Sequence, residues 1–572
     1  MQKMISVALT GSGGSGVITA GNMILQAAAR AGFFGQFGRS SGPQIRGGEA
    51  AAMLHLSNHP VDAPGDVFKI LVALDWHNTD RFAVELPLSN DSLIIADPDQ
   101  GDIPDVLLES GAKVVEIPLK KLSKQVAKGR PNMVAVGLIS GILGLGEDVV
   151  DQAMVKALSK RGEDALTSSR GAAALGRDAA NEIEFQASLG DAPQQTNARW
   201  LLNGNEATGF GALLGGIRFV AAYPITPATE VLEWMSPNLK KLGGALVQAE
   251  DELASINMII GASYGGTPSL TATSGPGLAL MLESLGLAIA SEIPVVIVDV
   301  MRGGPSTGIP TKSEQSDLNI ALFGPHGDAP HLVLAPSGIQ DCVKTTAWAV
   351  QLAEATQTPT VVLSDQLLGQ TRAVVERPDT LPAGSMRKTS AASDEGYQRY
   401  LVDNSGISAM AVPGTAGCQY TADGLEHDPV GVPSSQVADH RAQLDKRAGK
   451  IENYDFGDDW ADIEGDGDLA VIAWGSTAGV VREAIRRLDK GGLNLRLIVP
   501  RLLAPAQPSR MAEALKGCDR ALSIELSHGA QFYHYLKGYY DIACPLTQYH
   551  RPGPLPFRPG ELVQEIENWS RS

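Results

Sequence analysis

Fully apolar runs closed by turns constrain this chain more than any other feature: Ile70-Leu71-Val72-Ala73-Leu74, Leu93-Ile94-Ile95-Ala96 and Leu469-Ala470-Val471-Ile472-Ala473-Trp474 show no alternation of apolar and polar residues. A strand of this kind is buried on both faces and must be covered by helices on both sides. Helical segments do separate the runs, so the pattern predicts α/β architecture with largely parallel sheets.

The chain has 572 residues, too many for one hydrophobic core; the usual domain size implies about three or four domains. A formal charge of -18 argues against nucleic acid or an anionic membrane as partner. Cys342, Cys418, Cys518 and Cys544 lie far apart and form no CxxC or His/Cys spacing. They encode no disulfide framework, zinc site or iron-sulfur cluster, and a reducing cytoplasm is the expected location. The most apolar stretch, Leu285 to Met301, is interrupted by Ser291, Glu292, Pro294 and Asp299, so no membrane span is expected. Ile5 to Leu9 runs straight into glycines, unlike a signal peptide.

Residues 1–188 read as one α/β domain, with strands at Ile5 to Leu9, near Ile70, near Leu93 and at Val114 to Ile117, and a helix from Val17. Residues 189–199 read as a polar linker and 200–375 as a second α/β domain, with strands ending at Ala222, Gln248, Thr273, Asp299, Ala335 and Asp365. Residues 376–459 read as a loop-rich, charged insertion with little core of its own. Residues 460–572 form a third α/β domain, with strands at 469–474, 495–499 and 521–525 and a helix from Ala478. The expected fold is therefore α/β, with three parallel-sheet domains.

Two turns in the second domain carry chemistry. Tyr223-Pro224-Ile225-Thr226-Pro227 and Arg302-Gly303-Gly304-Pro305-Ser306-Thr307-Gly308, continuing to Thr311, Lys312 and Gln315, present a guanidinium and threonine hydroxyls with little other bulk. That set suits a small carboxylate. Both threonines also read as turn or cap residues, and Lys312 as an exposed cap. Glu252 lies in Gln248-Ala249-Glu250-Asp251-Glu252, just after a strand, with Gly261 nine residues on along the helix; on spacing alone it is either a helix-terminus carboxylate or a catalytic one.

In the first domain, Gly11-Ser12-Gly13-Gly14-Ser15-Gly16 follows a strand and opens a helix. It reads as a tight turn or as a diphosphate cradle of backbone amides, and lacks the Lys-Ser/Thr of a P-loop. Gly38 to Gly48 carries Arg39 and Arg46, which can clasp an anion or a neighbouring subunit. Gly465-Asp466-Gly467 with Asn494 imitates a metal-diphosphate motif, but it precedes its apolar strand instead of following one, and reads as a turn.

Taken together these segments resemble the 2-oxoacid:ferredoxin oxidoreductases, as a fused gamma-alpha subunit of the 2-oxoglutarate type. Gly11 to Val17 and Gly38 to Gly48 are similar to the gamma domain. Gly204-Asn205-Glu206-Ala207, Tyr223 to Pro227, Glu250 to Ile256 and Arg302 to Leu318 are similar to the thiamine pyrimidine-binding alpha domain, and Gly424 to Asp428 and Trp474 to Thr477 to its later, transketolase-like segments.

The resemblance implies thiamine diphosphate at the junction with a separate beta subunit, which brings Mg2+ and a [4Fe-4S] cluster, and electron transfer to ferredoxin with coenzyme A taking the acyl group. It implies that Glu252 bonds N1' of the aminopyrimidine, with Pro224, Ile225, Ser274 and Gly275 also at the cofactor. It further implies that Thr226 bonds the reacting oxoacid, that Arg302 pairs with its carboxylate, and that Tyr223, Thr311 and Lys312 complete the pocket. Gly13, Gly14, Gly16, Arg39 and Arg46 are candidates for coenzyme A or an interface, no metal ligand is expected on this chain, and the assembly is expected to be a dimer of heterodimers. Pyruvate or a branched-chain 2-oxoacid fits the same core chemistry. A coenzyme A ligase or transferase, and a regulatory scaffold, are the readings of other classes.

Overall fold

The computed structural model describes residues 3–42, 48–185, 187–194, 197–378, 387–392 and 396–572. By contacts the chain forms two compact units, one of 1–203 with 370–377 and 558–562, the other of 204–369, 378–557 and 563–572.

The first unit is built on an eight-stranded sheet whose order is Lys113–Glu116, Leu93–Ala96, Ile70–Ala73, Met4–Ser12, Glu49–Ser57, Phe34–Ser41, Arg372–Glu376, Arg199–Asn203. The apolar runs occupy the parallel half, as the sequence predicts. The other half is antiparallel, which corrects the expectation of a largely parallel sheet. Gly38 to Gly48 reads as a flexible glycine loop, yet Gly38 to Ser41 belong to strand Phe34–Ser41, which pairs along its whole length with Glu49–Ser57. The boundaries at 200 and 375 also shift. Arg199–Asn203 and Arg372–Glu376 pair with each other, and Arg372 and Ala373 pair with Phe37 and Gln36, so both ends of the expected second domain are strands of the first sheet.

The second unit holds two sheets. Its seven-stranded sheet runs Leu502–Ala504, Leu332–Leu334, Thr360–Asp365, Val296–Met301, Ser269–Thr273, Phe219–Ala222, Ala245–Gln248. All of its pairs are parallel apart from the one at Leu502–Ala504. Its five-stranded sheet runs Ala461–Glu464, Leu495–Pro500, Leu469–Ala473, Arg520–Glu525, Leu546–His550, parallel apart from the first pair. One continuous apolar core joins both, from Val220, Ile297 and Val362 to Ile472, Trp474 and Phe532. The architecture is thus α/β with three sheets, the two of the second unit mostly parallel and that of the first parallel in the half built from the apolar runs.

The insertion contributes Met410 and Ile451 to that core. It also buries charge. On its helix Val437–Glu452, Lys446 and Lys450 bond Glu292, Lys450 also donates to Gln357 O at 2.8 Å, and Arg399 donates to Glu292 O at 2.8 Å. Among the described residues no helix is long and apolar enough to cross a membrane.

Candidate active site at the strand ends of the seven-stranded sheet

Four adjacent parallel strands end in the segments singled out above: Phe219–Ala222 in Tyr223 to Pro227, Ala245–Gln248 in Glu250 to Glu252, Ser269–Thr273 in Ser274 and Gly275, and Val296–Met301 in Arg302. The carboxyl ends of parallel strands are where open α/β sheets place ligands.

Three successive carboxylates after Gln248 separate by role. Asp251 is the N-cap of helix Glu252–Tyr264, its side chain accepting from Ala254 N at 2.7 Å. Glu250 is exposed, whereas Glu252, in the first turn, is turned inward with 7% of its surface exposed. Its side chain lies over Gly277, where a Cβ would come within 2.7 Å of Glu252 Cγ. Only glycine lets helix Gly275–Ala290 approach this carboxylate so closely. Glu252 makes no hydrogen bond or ion pair among the described residues. A buried carboxylate without an internal donor is poised for an external one.

Arg302 is 6% exposed and donates through Nη1 to Thr226 O at 2.6 Å, so the two sequence motifs meet. The bond shown comes from the Thr226 carbonyl, not from its hydroxyl. Arg302 Nε has no partner, and burial pulls the guanidinium pKa down. The turn after Arg302 is closed by Gly303 N donating to Lys312 O at 3.0 Å and Ile309 N to Gly303 O at 2.8 Å. Thr311 and Lys312 are half-buried on this turn, and Pro224 and Ile225 half-buried on the other, beside Tyr223, which is 41% exposed. Ser274 is buried at the N-cap of helix Gly275–Ala290 with its hydroxyl unpartnered.

Residues to which the sequence assigns no role hold this site. Gln315, fully buried, donates from Nε2 to Trp474 O at 2.8 Å and accepts from Leu526 N at 2.9 Å; its own N donates to Leu526 O at 2.8 Å. The Arg302 turn is thereby pinned to two strand ends of the five-stranded sheet. Asp299 is fully buried with neither oxygen partnered, and Asp317 Oδ2 is unpartnered as well. Burial and then the neighbouring Asp317 push the Asp299 carboxyl well above the usual range, while burial and then Glu314 push Asp317 up to about 7; Arg302 opposes both. Asp299 was legible only as a strand end, and no motif marks Asp317.

In the first unit, Gly14 and Gly16 carry positive φ in the turn before helix Val17–Arg30, and Gly13 N donates to Gly48 O at 2.5 Å. Asp75 Oδ2 accepts from Ser12 N and Oγ at 3.0 and 2.9 Å, so one amide of the turn is already taken. Arg39 lies exposed on strand Phe34–Ser41, and Arg46 lies outside the described residues. In the second unit, Asn494 Nδ2 donates to Asp466 Oδ1 at 3.1 Å on the surface, and Gly465 has φ +76°: a hydrogen-bonded turn, as its position before the strand indicates.

Two family models match this chain: pyruvate flavodoxin/ferredoxin oxidoreductase, thiamine diphosphate-binding, over 210–446, and pyruvate ferredoxin/flavodoxin oxidoreductase over 6–179. The alpha subunit of a 2-oxoacid:ferredoxin oxidoreductase from a Sulfolobus species is 30% identical over 587 aligned residues, covering 92% of this chain and 91% of its own. The 2-oxoglutarate synthase subunit KorA of Methanothermobacter marburgensis is 36% identical, covering 58% of this chain and 89% of its own. The structure of 2-oxoglutarate:ferredoxin oxidoreductase from Magnetococcus marinus, with 2-oxoglutarate, coenzyme A and succinyl-CoA bound, superposes with TM-score 0.90 at 36% identity and covers 99% of both chains. With matches along its whole length and the two domain models in one polypeptide, the chain belongs to the 2-oxoacid:ferredoxin oxidoreductase family, as a fusion of gamma and alpha domains.

Proposed function

We propose that the chain is the gamma-alpha subunit of a 2-oxoglutarate:ferredoxin oxidoreductase. It acts in the reversible, coenzyme A-dependent oxidative decarboxylation of 2-oxoglutarate to succinyl-CoA and CO2, with electrons passed to ferredoxin. The observation that carries this reading is the end-to-end likeness to the Magnetococcus marinus enzyme.

The residues at the strand ends fit thiamine diphosphate: an inward carboxylate without an internal partner at Glu252, a close approach at Gly277, and an unpartnered buried hydroxyl at Ser274. When bound, the cofactor supplies the electron sink for decarboxylating a 2-oxoacid. Glu252 would bond N1' of the aminopyrimidine, and Pro224, Ile225, Ser274 and Gly275 would hold the ring. Arg302 pairs with a substrate carboxylate and is aimed by Thr226 O. The Thr226 hydroxyl faces the oxo group, and Tyr223, Thr311 and Lys312 line the pocket. Gly13, Gly14, Gly16 and Arg39 are assigned to coenzyme A or to an interface.

The chain's own donors do not fit a [4Fe-4S] cluster. Cys342 and Cys418 are buried, Cys518 and Cys544 half-buried, and no group of three or more metal-ligating side chains exists among the described residues. The cluster and Mg2+ are therefore assigned to a beta subunit, in a dimer of heterodimers in the cytoplasm. A partner surface is available beside the site: strand Ala245–Gln248 is the sheet edge, and Val247, Leu253, Met258 and Leu280 are exposed around it. The test is ferredoxin reduction by the chain reconstituted with a cysteine-bearing beta subunit, using 2-oxoglutarate, pyruvate and 2-oxoisovalerate. The highest kcat/KM is expected for 2-oxoglutarate; a preference for either other acid overturns the substrate assignment.

A further inference from the structure

One guanidinium and three carboxyls crowd the end of strand Val296–Met301. Asp299 lies within the strand, Arg302 follows it, and after the turn the chain comes back beside it, with Glu314 Oε2 3.3 Å from where a Cβ at Gly303 would lie and Ser316 Oγ, next to Asp317, donating to Arg302 O at 3.5 Å. The Asp317 carboxylate lies against Gly275, where a Cβ would be 2.6 Å from both its oxygens. It therefore sits over the first residue of helix Gly275–Ala290, with the unpartnered Ser274 hydroxyl beside it in sequence. No ion pair joins Arg302 to any of these carboxyls among the described residues. Both oxygens of Asp299, one oxygen of Asp317 and Nε of Arg302 stay unpartnered although buried.

This arrangement has a consequence for charge. Three ionised carboxylates around one guanidinium would leave a net charge of about -2 and repel a dianionic oxoacid. A fully buried carboxylate with no donor is costly, so Asp299 is held as the neutral acid. Asp317 is better placed to ionise because the helix N-terminus at Gly275 favours its anion.

We propose that Asp299 and Asp317 are positioning residues that act through Arg302: the neutral Asp299 leaves the guanidinium uncompensated, and ionisation of Asp317 competes with the substrate's carboxylate for it. This rests on the reading of Arg302 as the substrate-binding cation. The charged groups acting on Asp317 are Glu314 and Arg302, those on Asp299 are Asp317 and Arg302, and Glu314 in turn feels His528. With Asp317 titrating at about 7, its ionised fraction rises from about one tenth at pH 6 to about nine tenths at pH 8. The substrate's two carboxyls stay ionised throughout.

The experiment measures KM and kcat for 2-oxoglutarate from pH 6 to pH 8 in the reconstituted enzyme at saturating coenzyme A. In the unmodified enzyme KM is expected to rise roughly 3- to 10-fold over this interval, with kcat changing less. Asp317→Asn should flatten the KM profile at its low-pH value, and Asp317→Glu should restore a slope. Asp299→Asn, which copies a neutral acid, should leave KM within about twofold at pH 6. Arg302→Ala separates the two readings. If it leaves KM unchanged, the role of Arg302 itself is wrong. If it raises KM while Asp317→Asn keeps the slope of the unmodified enzyme, or Asp299→Asn raises KM as much as Arg302→Ala does, the inference about the carboxyls is overturned.

Discussion

Two buried charge clusters in the second unit are built on opposite terms. Around Glu292, the carboxylate finds its cations: Lys446 and Lys450 bond it, Arg399 donates to its carbonyl, and Ser408 Oγ accepts from both Lys446 and Arg399 at 3.1 Å, with Arg399 Nε alone of these groups left unpartnered. Around Arg302, by contrast, the carboxyls lack donors: both oxygens of Asp299 and one of Asp317 stay unpartnered. The first arrangement neutralises its buried carboxylate internally and ties the insertion to the core beneath it. The second is complete only when something else enters, which is what a binding site requires. Charge alone does not separate structure from function here; satisfaction does.

Removing Glu292 should have the largest effect on folding. Glu292→Ala strands Lys446 and Lys450 in the interior, and the expected loss is about 3 to 5 kcal/mol of unfolding free energy, read by denaturant titration. The two lysines hold the Glu292 carboxyl far below its ordinary value against the opposing effect of burial. Its stabilising contribution is thus fully present above the unfolded carboxylate pKa and is lost as pH falls below it. A variant as stable as the parent at pH 7 would show that the cluster is not structural.

On the other side of the comparison the loss should appear in catalysis and not in folding. Arg302→Ala is expected to cost about 2 to 5 kcal/mol in kcat/KM with little change in melting temperature, and Arg302→Lys should rescue poorly because an ammonium does not reproduce a planar fork. A kcat/KM near that of the parent in the alanine variant would place Arg302 among the structural residues.

Glu252→Gln sharpens the same division at the cofactor. The amide keeps size and polarity, so folding should hold, while turnover should fall about 100-fold, or about 2.7 kcal/mol. The direct measurement is hydrogen-deuterium exchange at C2 of bound thiamine diphosphate in the reconstituted complex, with Glu250→Gln as neighbour. Slow exchange in Glu250→Gln and unchanged exchange in Glu252→Gln would exchange their roles.

What the sequence revealed of this site follows from local physics. Apolar runs ending at Ala222, Thr273 and Asp299 placed three strands within a residue or two, because a strand buried on both faces needs no pairing information to be recognised, while Ala245–Gln248 is an exposed edge strand that its short apolar run still marked. Gly38 to Ser41 reads as part of a glycine loop because its glycine and polar residues hide a strand end that only the pairing with Glu49–Ser57 explains. Arg199–Asn203 and Arg372–Glu376 meet from positions far apart in the chain, and no local pattern announces such a pair. The same limit applies to the site. The resemblance favours Glu252 over Glu250 through its distance to Gly261, and the helix start that Asp251 caps shows why Glu252 is the one turned inward. Asp317 could not be found at all, since its environment is made by Gly275, Arg302 and Glu314 from three segments.

Asp317 also provides the smallest and most specific test, because the neutral and ionised forms make opposite demands on the fold. Burial, and next Glu314, raise its pKa to about 7 from an ordinary value of 3.8. A carboxyl raised in the folded state favours folding fully below the unfolded pKa, and that advantage is lost as pH climbs from about 4 through about 7. Above this window the native state carries a buried anion whose ionisation is freely accommodated only after unfolding. Asp317→Asn removes the titration and keeps the shape, so the variant should be more stable than the parent by about 1 to 3 kcal/mol at pH 8 and nearly equal to it at pH 4. Chemical denaturation of the reconstituted complex at the two pH values reads the difference. Equal stabilities at pH 8 would mean that Asp317 is ionised without cost, and the Arg302 cluster would then be as well satisfied as the one around Glu292.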